Sequence, residues 1–223
     1  MSPILVTGTD TGVGKTHLTR ALLLALRRRG HRPSVIKPVE TGCADRSRPE
    51  DGLRLSLASG LPLDLVCPLR FSLPAAPTTA ARAEGYTLSR DDVLSAIEVA
   101  SRLGAPFFIE GAGGALVPIT DDLSFADLAA LLGARVIVVA RHRLGTLNHT
   151  RLTLEALRAR GVTPLAVVFN ETATDDVAPI DHAAELARLD PTVPRFGPLP
   201  WDADDDRCVA AVEGVGLVDL VLA

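Results

Sequence analysis

Short apolar runs alternate with helical stretches along the 223-residue chain. The runs lack the polar alternation of a half-buried strand, which predicts strands that are buried on both faces. The stretch after the first run repeats apolar residues at helical spacing, with Leu18, Leu22 and Leu26 on one face. Strand–helix alternation of this kind predicts right-handed crossovers and a doubly wound α/β fold with a mostly parallel sheet flanked by helices.

The predicted elements follow from these patterns and from capping and turn residues. The predicted strands cover Ile4–Thr7, Ser34–Lys37, Pro106–Glu110, Arg135–Ala140, Leu165–Asn170 and Arg195–Pro198. The predicted helices cover Thr16–Arg29, Asp51–Ser59, Ser89–Leu103, Ser124–Leu132, Thr146–Arg160, Pro179–Leu189 and Cys208–Leu222. The proline-rich residues 61–80 are predicted to be an extended connection, and GAGG after Glu110 a loop. We expect residues 1–223 to form one domain.

Composition and charge narrow the classes of function. Hydrophobic residues make up 47% of the chain and charged residues 22%, which argues against disorder. The formal net charge of −4 gives no support for nucleic-acid binding. No apolar run reaches the ~18 residues of a membrane span, and the start does not read as a signal peptide. Three separated cysteines without a C-x-x-C pair favour free thiols in a reducing cytoplasm.

Lysine is rare in this chain. Of 23 basic residues only Lys15 and Lys37 are lysines, and the rest are arginines. A lysine supplies a compact, rotatable point charge, whereas arginine supplies a planar fork. Both lysines fall at predicted strand ends beside loops that contain glycine or proline, which argues against a chance placement.

The glycine loop at residues 8–16, GTDTGVGKT, resembles a phosphate-binding loop with altered spacing. The usual G-x-x-x-x-G-K-[ST] pattern would place a glycine at position 9, but Thr9 stands there and the glycine is Gly8. A Gly-Lys-Thr sequence between a strand and a helix still predicts nucleotide binding, because backbone N–H groups and the helix dipole attract phosphate. Lys15 would neutralise the phosphates and the Thr16 hydroxyl would ligate Mg²⁺.

Polar residues or glycine turns also follow four other predicted strands. Lys37 ends the second strand, Glu110 precedes GAGG as a candidate Mg²⁺ ligand, and Gly145 opens a turn that could bind a second anion. Asn170 could read a base edge or simply serve as a turn residue. Because ligands bind at the carboxyl ends of parallel strands, we expect these residues to converge on one crevice.

The sequences GTDTGVGKT, KPVETG, IEGAGG, LGTLNHT and VVFN resemble, in the same order, the dethiobiotin synthetase family, from Val6 to about Trp201. The long spacing of the glycine loop is typical of that family. The resemblance implies a P-loop NTPase-like fold and an ATP- and Mg²⁺-dependent enzyme of biotin biosynthesis. The family joins CO₂ to 7,8-diaminononanoate through a carbamate and a carbamic-phosphoric anhydride, and closes a cyclic urea.

Residue roles follow from the same resemblance. Lys15 and Lys37 are the implied catalytic residues, and Thr16, Asp51 and Glu110 the implied Mg²⁺ ligands, although Asp51 stands in Glu-Asp-Gly and not in the family's usual context. The implied nucleotide contacts are Thr11, Gly12, Val13, Gly14, Lys15, Thr16, His17, Asp51, Glu110, Gly111, Ala112, Gly113, Asn170, Pro200, Trp201 and Asp202. The implied substrate contacts are Thr41 and, across the interface of a homodimer, Gly145, Thr146, Leu147 and Asn148.

The histidines receive no catalytic role. His31, His142, His149 and His182 are interpreted as surface or capping residues, and His17 as facing solvent. Asp202–Asp206 is interpreted as a solvated loop that could cap the last helix. An alternative function is a ParA/MinD-like switch ATPase, but that class typically carries an additional early lysine in its loop, where this chain has Gly8-Thr9-Asp10-Thr11.

Overall fold

The structure is a computed structural model and describes residues 2–172 and 180–223. Within that part of the chain, the main sheet has six parallel strands in the order β2-β5-β1-β6-β7-β8. Its strands are β1 (Ile4–Gly8), β2 (Ser34–Ile36), β5 (Phe107–Gly114), β6 (Arg135–Arg141), β7 (Pro164–Asn170) and β8 (Arg195–Leu199). A second, two-stranded parallel sheet pairs β3 (Val39–Thr41) with β4 (Leu69–Phe71).

Helices cover both faces of the main sheet. They are α1 (Lys15–Arg28), α2 (Glu50–Ser59), α3 (Leu63–Val66), α4 (Pro77–Ala83), α5 (Arg90–Ser101), α6 (Phe125–Leu132), α7 (Thr146–Arg158), α8 (His182–Leu189), α9 (Asp205–Gly214) and α10 (Leu217–Leu222). Successive side chains of β1 enter opposite cores, since Ile4 and Val6 pack with α1, α2, α9 and α10, and Leu5 packs with the layer of α5–α8. The predicted doubly wound α/β fold is therefore confirmed.

Most predicted element boundaries agree with the structure within two residues, and the predicted caps are present. Ser89 and Asp92 form a capping box at α5, as Ser124 and Asp127 do at α6. In the Asp202–Asp206 segment, Asp204 caps α9 and the next two aspartates form its first turn, so only part of that segment is loop. Pro179, the predicted start of one helix, lies outside the described residues, and α8 begins at His182.

Three predictions of local structure are wrong. Residues 61–80 are not an extended connection, because they contain α3, β4 and the start of α4. Pro62 is the N-cap residue of α3 and Pro77 is the first residue of α4, so neither breaks its helix, because a missing N–H there has no helical partner to lose. The GAGG segment continues β5 to Gly114, and the C-terminal helix is divided by Gly216, whose φ of 76° is left-handed.

Two histidines interpreted as surface or capping residues lie inside the protein. His142 and His182 are buried, and their Nδ1 atoms lie 3.1 Å apart. Burial and the neighbouring His142 lower the pKa of His182. The assignment failed because β6 and α8, which bring the two rings together, are far apart in the sequence.

Two further features concern the cysteines and the lengths of the helices. Cys43, Cys67 and Cys208 are free and buried. None of the helices in the described ranges combines the length and the apolar character that crossing a membrane requires.

Candidate active site

A cleft of about 780 Å³ opens at the carboxyl edge of the main sheet. The chain leaves β1 toward β2 on one side and later reaches β6 on the other, so this edge is a topological switch point. The glycine loop forms one wall, and β3 with the first turns of α2 and α4 forms the opposite wall. Lys15, Lys37 and Thr16 all line the cleft, as the sequence predicts.

The glycine loop leaves the start of α1 open to a ligand. Gly14, the N-cap residue of α1, has a φ of 90° and supplies no side-chain cap. A Cβ at Gly14 would lie 2.6 Å from the Asn170 amide nitrogen, and one at Gly8 would lie 2.7 Å from the Asp10 carbonyl oxygen. Glycine is thus required at both positions for the loop to turn tightly, and the first N–H groups of α1 remain without helical partners.

Lys15 is buried and its ammonium group turns back over the loop. Its Nζ donates a hydrogen bond to the Asp10 carbonyl oxygen at 3.2 Å. Burial, reinforced by the positive charge of Lys37, lowers the pKa of Lys15 from 10.5 to about 8. The ammonium group is therefore short of negative partners until an anion binds.

Lys37 has the opposite environment. Ile36 pairs with Ile109 in the sheet, so the following residues, Lys37 and Glu110, come side by side at its edge. The Lys37 Nζ lies 3.0 Å from the Glu110 Oε1 and 2.9 Å from the Asp51 Oδ2. Burial acts to lower the pKa of Lys37, but the charges of Glu110 and Asp51 outweigh it and raise the pKa, so this lysine is a fixed cation.

Thr16, Asp51 and Glu110 form a compact group of oxygen-bearing side chains around Lys37. The Thr16 hydroxyl donates a 2.6 Å hydrogen bond to the Glu110 Oε1, and it also lies close enough to Asp51 to influence that carboxylate. Burial acts to raise the pKa of Asp51, but the charge of Lys37 and the bonds from Lys37 and Thr16 lower it overall. The Glu110 Oε2 is buried without a hydrogen-bond partner.

This group fits Mg²⁺, which prefers one or two carboxylates together with phosphate oxygens and water. The partnerless Glu110 oxygen is the structural observation in favour, because a buried carboxylate oxygen normally has a donor or a cation beside it. Within the described residues there is no cluster of three or more His, Cys, Asp and Glu side chains able to hold a metal. A metal ion here would therefore also need oxygen atoms from bound phosphate groups or water.

The end of β5 forms the floor beside the glycine loop. Ala112 and Gly113 line the cleft, whereas Gly111 is buried against Phe125. Gly113 has a φ of 68°, and a Cβ there would lie 2.9 Å from a methyl group of Val117. A side chain at Gly113 would therefore collide with Val117.

One end of the cleft carries an aromatic pair. The rings of His17 and Trp201 stack with centroids 4.6 Å apart, and Trp201 lines the cleft. His17 is half-buried, so the interpretation that it faces solvent is wrong. Burial lowers the pKa of His17, which favours a neutral ring at physiological pH. Pro200 and Asp202 flank this pair outside the lining.

Asn170 supports the glycine loop from below. Its Nδ2 donates a hydrogen bond to the Gly14 carbonyl oxygen at 3.1 Å, and its buried Oδ1 has no partner. The buried Val13 packs into the core beneath the loop, away from the cleft lining. Thr11 lies at the exposed tip of the loop, and both Thr11 and its neighbour Gly12 line the cleft.

The predicted substrate residues fall in two places. Thr41 lines the cleft with the first turn of α4, which begins at Pro77. The Gly145–Asn148 turn opens α7 at the carboxyl end of β6, outside the cleft lining of the single chain. Leu144 beside it is 89% exposed.

Sequence reasoning gave no role to Glu40, although it stands inside the motif KPVETG. Glu40 is buried, lines the cleft and bonds to the backbone of α2. The only available signal was an acidic residue in the middle of a strand too short to be recognised. The spacing of residues along the sequence could not show that Glu40 contacts the first turn of α2.

The glycine loop at the junction of β1 and α1, beside a parallel sheet, defines a P-loop nucleotide-binding protein of the α/β class. A family model described as an AAA domain matches residues 2–207. An ATP-dependent dethiobiotin synthetase of Anaeromyxobacter dehalogenans strain 2CP-C is 44% identical over 218 residues, covering 96% of this chain and 97% of that protein. A protein of the same name from Aquifex aeolicus is 40% identical over 220 residues, covering 99% and 97%. The chain belongs to the family of ATP-dependent dethiobiotin synthetases.

Solved structures of lower identity share the fold alone. A plasmid partition protein of Borrelia burgdorferi bound to AMPPNP matches with a TM-score of 0.58 and 11% identity, and each chain is covered completely. A ParA family ATPase of Chlorobium tepidum matches with a TM-score of 0.54 and 13% identity, covering 100% of this chain and 98% of that one. The signal recognition particle receptor FtsY of Elizabethkingia anophelis has a TM-score of 0.55 and 16% identity, and this chain covers 65% of it.

Proposed function

We propose that this protein catalyses the ATP- and Mg²⁺-dependent ring closure of 7,8-diaminononanoate with CO₂, giving dethiobiotin, ADP and phosphate. The observation that carries the proposal is the buried network in which Thr16 and Lys37 both bond to Glu110, with Asp51 on the other side of Lys37. A site that places two lysines and a phosphate loop in one cleft suits transfer of a phosphoryl group to an anionic acceptor.

The proposed reaction has three steps. One amine of the substrate attacks CO₂ and loses a proton, which gives a carbamate. A carbamate oxygen then attacks the γ-phosphorus of ATP, and the bond to ADP breaks, leaving a carbamic-phosphoric anhydride. The second amine attacks the carbonyl carbon, the carbon–oxygen bond to phosphate breaks, and a proton is lost as the cyclic urea closes. These steps need positioning and charge neutralisation more than covalent participation by the protein.

The two lysines have different proposed roles because their environments differ. Lys15, with its lowered pKa and few partners, binds the incoming phosphates and becomes fully charged as they approach. Lys37 is held between two carboxylates and stays charged throughout. It would stabilise the carbamate and the negative charge that develops on the transferred group.

Thr16, Asp51 and Glu110 would hold Mg²⁺, with phosphate oxygens completing its shell. When bound there, Mg²⁺ supplies charge neutralisation of the triphosphate. The Thr16 hydroxyl donates its proton to Glu110, which leaves its oxygen lone pairs available to a cation. Glu110 presents a buried oxygen that has no other partner.

The remaining contacts would bind the nucleobase and the diamine. The His17–Trp201 pair offers a flat apolar wall for the base, and the unpartnered Oδ1 of Asn170 offers an acceptor. Thr41, with the start of α4, would meet the diamine. The Gly145–Asn148 turn, outside this chain's cleft, would act on the site of a second copy, so we propose a homodimer.

Two broader predictions are retained as proposals. We propose that residues 1–223 work as one domain, because the main sheet contributes to both cores and to the cleft. A cytoplasmic location is supported by the free, buried state of the three cysteines.

The direct test is formation of dethiobiotin from 7,8-diaminononanoate, bicarbonate, ATP and Mg²⁺. We expect product and ADP in equal amounts, and no product when the diamine, bicarbonate or Mg²⁺ is left out. A ParA/MinD-like switch ATPase would instead release phosphate without the diamine and respond to a nucleic acid or a lipid surface. Product at the same rate with no nucleotide present would contradict the proposal.

A further inference from the structure

Glu40 is a buried carboxylate that the reaction above leaves without a role. It lies on β3, is 6% exposed, and reaches across to the beginning of α2. Asp51, which the proposed function uses, is the second residue of α2. The position of Asp51 therefore depends on how the first turn of this helix is held.

Both oxygens of Glu40 bond to that first turn. The Oε1 accepts the backbone N–H of Asp51 at 3.1 Å, and the Oε2 accepts the backbone N–H of Gly52 at 2.7 Å. Pro49, the N-cap residue of α2, provides no side-chain cap. Glu40 thus caps the helix from a neighbouring strand, and its charge is favourable beside the positive end of the helix dipole.

Gly52 allows Cys67 to approach the first turn of α2 closely. A Cβ at Gly52 would lie 2.6 Å from the Cys67 Cβ and 3.1 Å from a ring carbon of Pro49. The Cys67 thiol is also in contact with Glu40, with its Sγ 3.6 Å from the Oε2. The first turn of α2 is therefore fixed by Glu40 on one side and by Cys67 on the other.

We propose that Glu40 is a positioning residue, whose carboxylate holds the first turn of α2 so that the Asp51 side chain faces Lys37 and Thr16. This inference rests on the proposed function only in assuming that Asp51 serves Mg²⁺ and nucleotide. Glu40 acts through the Asp51 backbone, since both of its oxygens already accept N–H groups of α2.

The principal rival role for Glu40 is direct contact with a ligand, because it also lines the cleft. The two roles differ in how Glu40 and Asp51 combine. A residue that acts through Asp51 has little left to lose once the Asp51 carboxylate is gone, whereas an independent contact adds its own loss.

The activity test is a double-mutant cycle with Glu40→Gln and Asp51→Asn. Gln keeps the volume of Glu and one acceptor oxygen, so the variant should fold even where Glu40→Ala does not. We expect each single change to lower kcat/KM roughly 10- to 100-fold, as loss of a residue that orients a metal ligand does. The double variant should be no worse than the more damaged single one. Additive losses would overturn the proposal.

Two further measurements do not require turnover. Calorimetry should show that Glu40→Gln weakens ATP binding in the presence of Mg²⁺ while the affinity for ATP without Mg²⁺ stays close to that of the wild type. Amide hydrogen exchange should become at least roughly tenfold faster at Asp51 or at Gly52 in Glu40→Gln, because Gln has one acceptor oxygen for two N–H groups. Unchanged exchange at both amides would also overturn the proposal.

Ser89→Ala is the matched control. It removes the cap of α5, an exposed helix start away from the cleft, and should lower Tm without changing kcat/KM or the Mg²⁺ dependence of ATP binding. If the wild-type protein formed no dethiobiotin, the proposed function would fail, but the exchange and binding measurements would still decide the role of Glu40.

Discussion

Ion pairs occur in two very different regions of this molecule. At the cleft, Lys37 pairs with Glu110, and these two side chains are 4% and 0% exposed. Along the outer face of α1, Arg28 pairs with Asp206, and these side chains are 46% and 82% exposed. Each pair joins a basic side chain to a carboxylate, but water screens the second pair far more than the first.

The difference indicates what each region is for. Exposed pairs between long side chains are generally worth about 0–1 kcal/mol, since water competes for both partners. Buried charges cost several kcal/mol to desolvate, and a protein rarely gains net stability from them. The outer pairs of α1 join it to the C-terminal helices as ordinary surface contacts, whereas the cleft keeps charges in place for a ligand.

The largest expected effect comes from changing the shape of a buried cation while keeping its charge. Lys37→Arg should lower kcat at least roughly 100-fold, because a planar guanidinium does not fit the position between Glu110 and Asp51. Arg28→Lys makes the reverse exchange on the surface and should leave kcat within about twofold of the wild type. Steady-state kinetics, with circular dichroism to check folding, provides the measurement. A near-wild-type rate for Lys37→Arg would remove Lys37 from the chemistry.

Replacing the second buried lysine should separate function from stability. Lys15→Met should weaken ATP binding at least roughly tenfold, since it removes a charge-assisted contact to phosphate. The same change should raise the free energy of unfolding of the ligand-free protein by about 1–3 kcal/mol, because a buried cation with few partners is lost. Calorimetry and urea unfolding measure the two effects. Unchanged ATP affinity would count against the phosphate-binding assignment of the glycine loop.

The same lysine predicts a pH dependence of stability in the absence of nucleotide and Mg²⁺. Its pKa is about 8 in the folded state and 10.5 in the unfolded chain, so the unfolded state binds more protons between these values. The free energy of unfolding therefore increases as pH rises from 8 to 10.5, because the destabilisation by the buried, charged Lys15 is relieved. Urea unfolding of the wild type and Lys15→Met across this range isolates the effect. A stability difference between the two proteins that stays constant with pH would show that Lys15 keeps an ordinary pKa.

The smallest effect is expected on the surface. Arg28→Ala should change Tm by no more than about 3 °C, and the change should diminish in 1 M salt because both partners are exposed to water. Thermal unfolding at low and high salt is the measurement. A large loss of stability that persists in high salt would mean that this pair resembles the buried pair at the cleft.

Local signals in the sequence were sufficient for the main sheet and for part of the site. The apolar runs predicted the strands, and the glycine loop predicted the start of α1 together with the exposed position of its first N–H groups. The placement of Lys37 beside Glu110 followed from the rule that parallel strands end at one edge. Each of these inferences depends on residues close in sequence or on a general rule of sheet topology.

Several of the failures have a common cause in contacts between distant segments. β3 and β4 have three residues each, too few for a periodic signal, and they form only because they pair with each other. The burial of His142 and His182 requires β6 and α8 to come together. Glu40 acquires its partners only when β3 packs against the start of α2.

The sequence by itself determined that this chain would build a parallel α/β sheet with a phosphate-binding loop and two lysines near its carboxyl edge, because periodicity and glycine spacing are local properties. Only the tertiary structure decided that the two lysines differ. Lys15 is buried with few partners and Lys37 is held between Asp51 and Glu110, and this distinction arises from neighbours that lie far away along the chain.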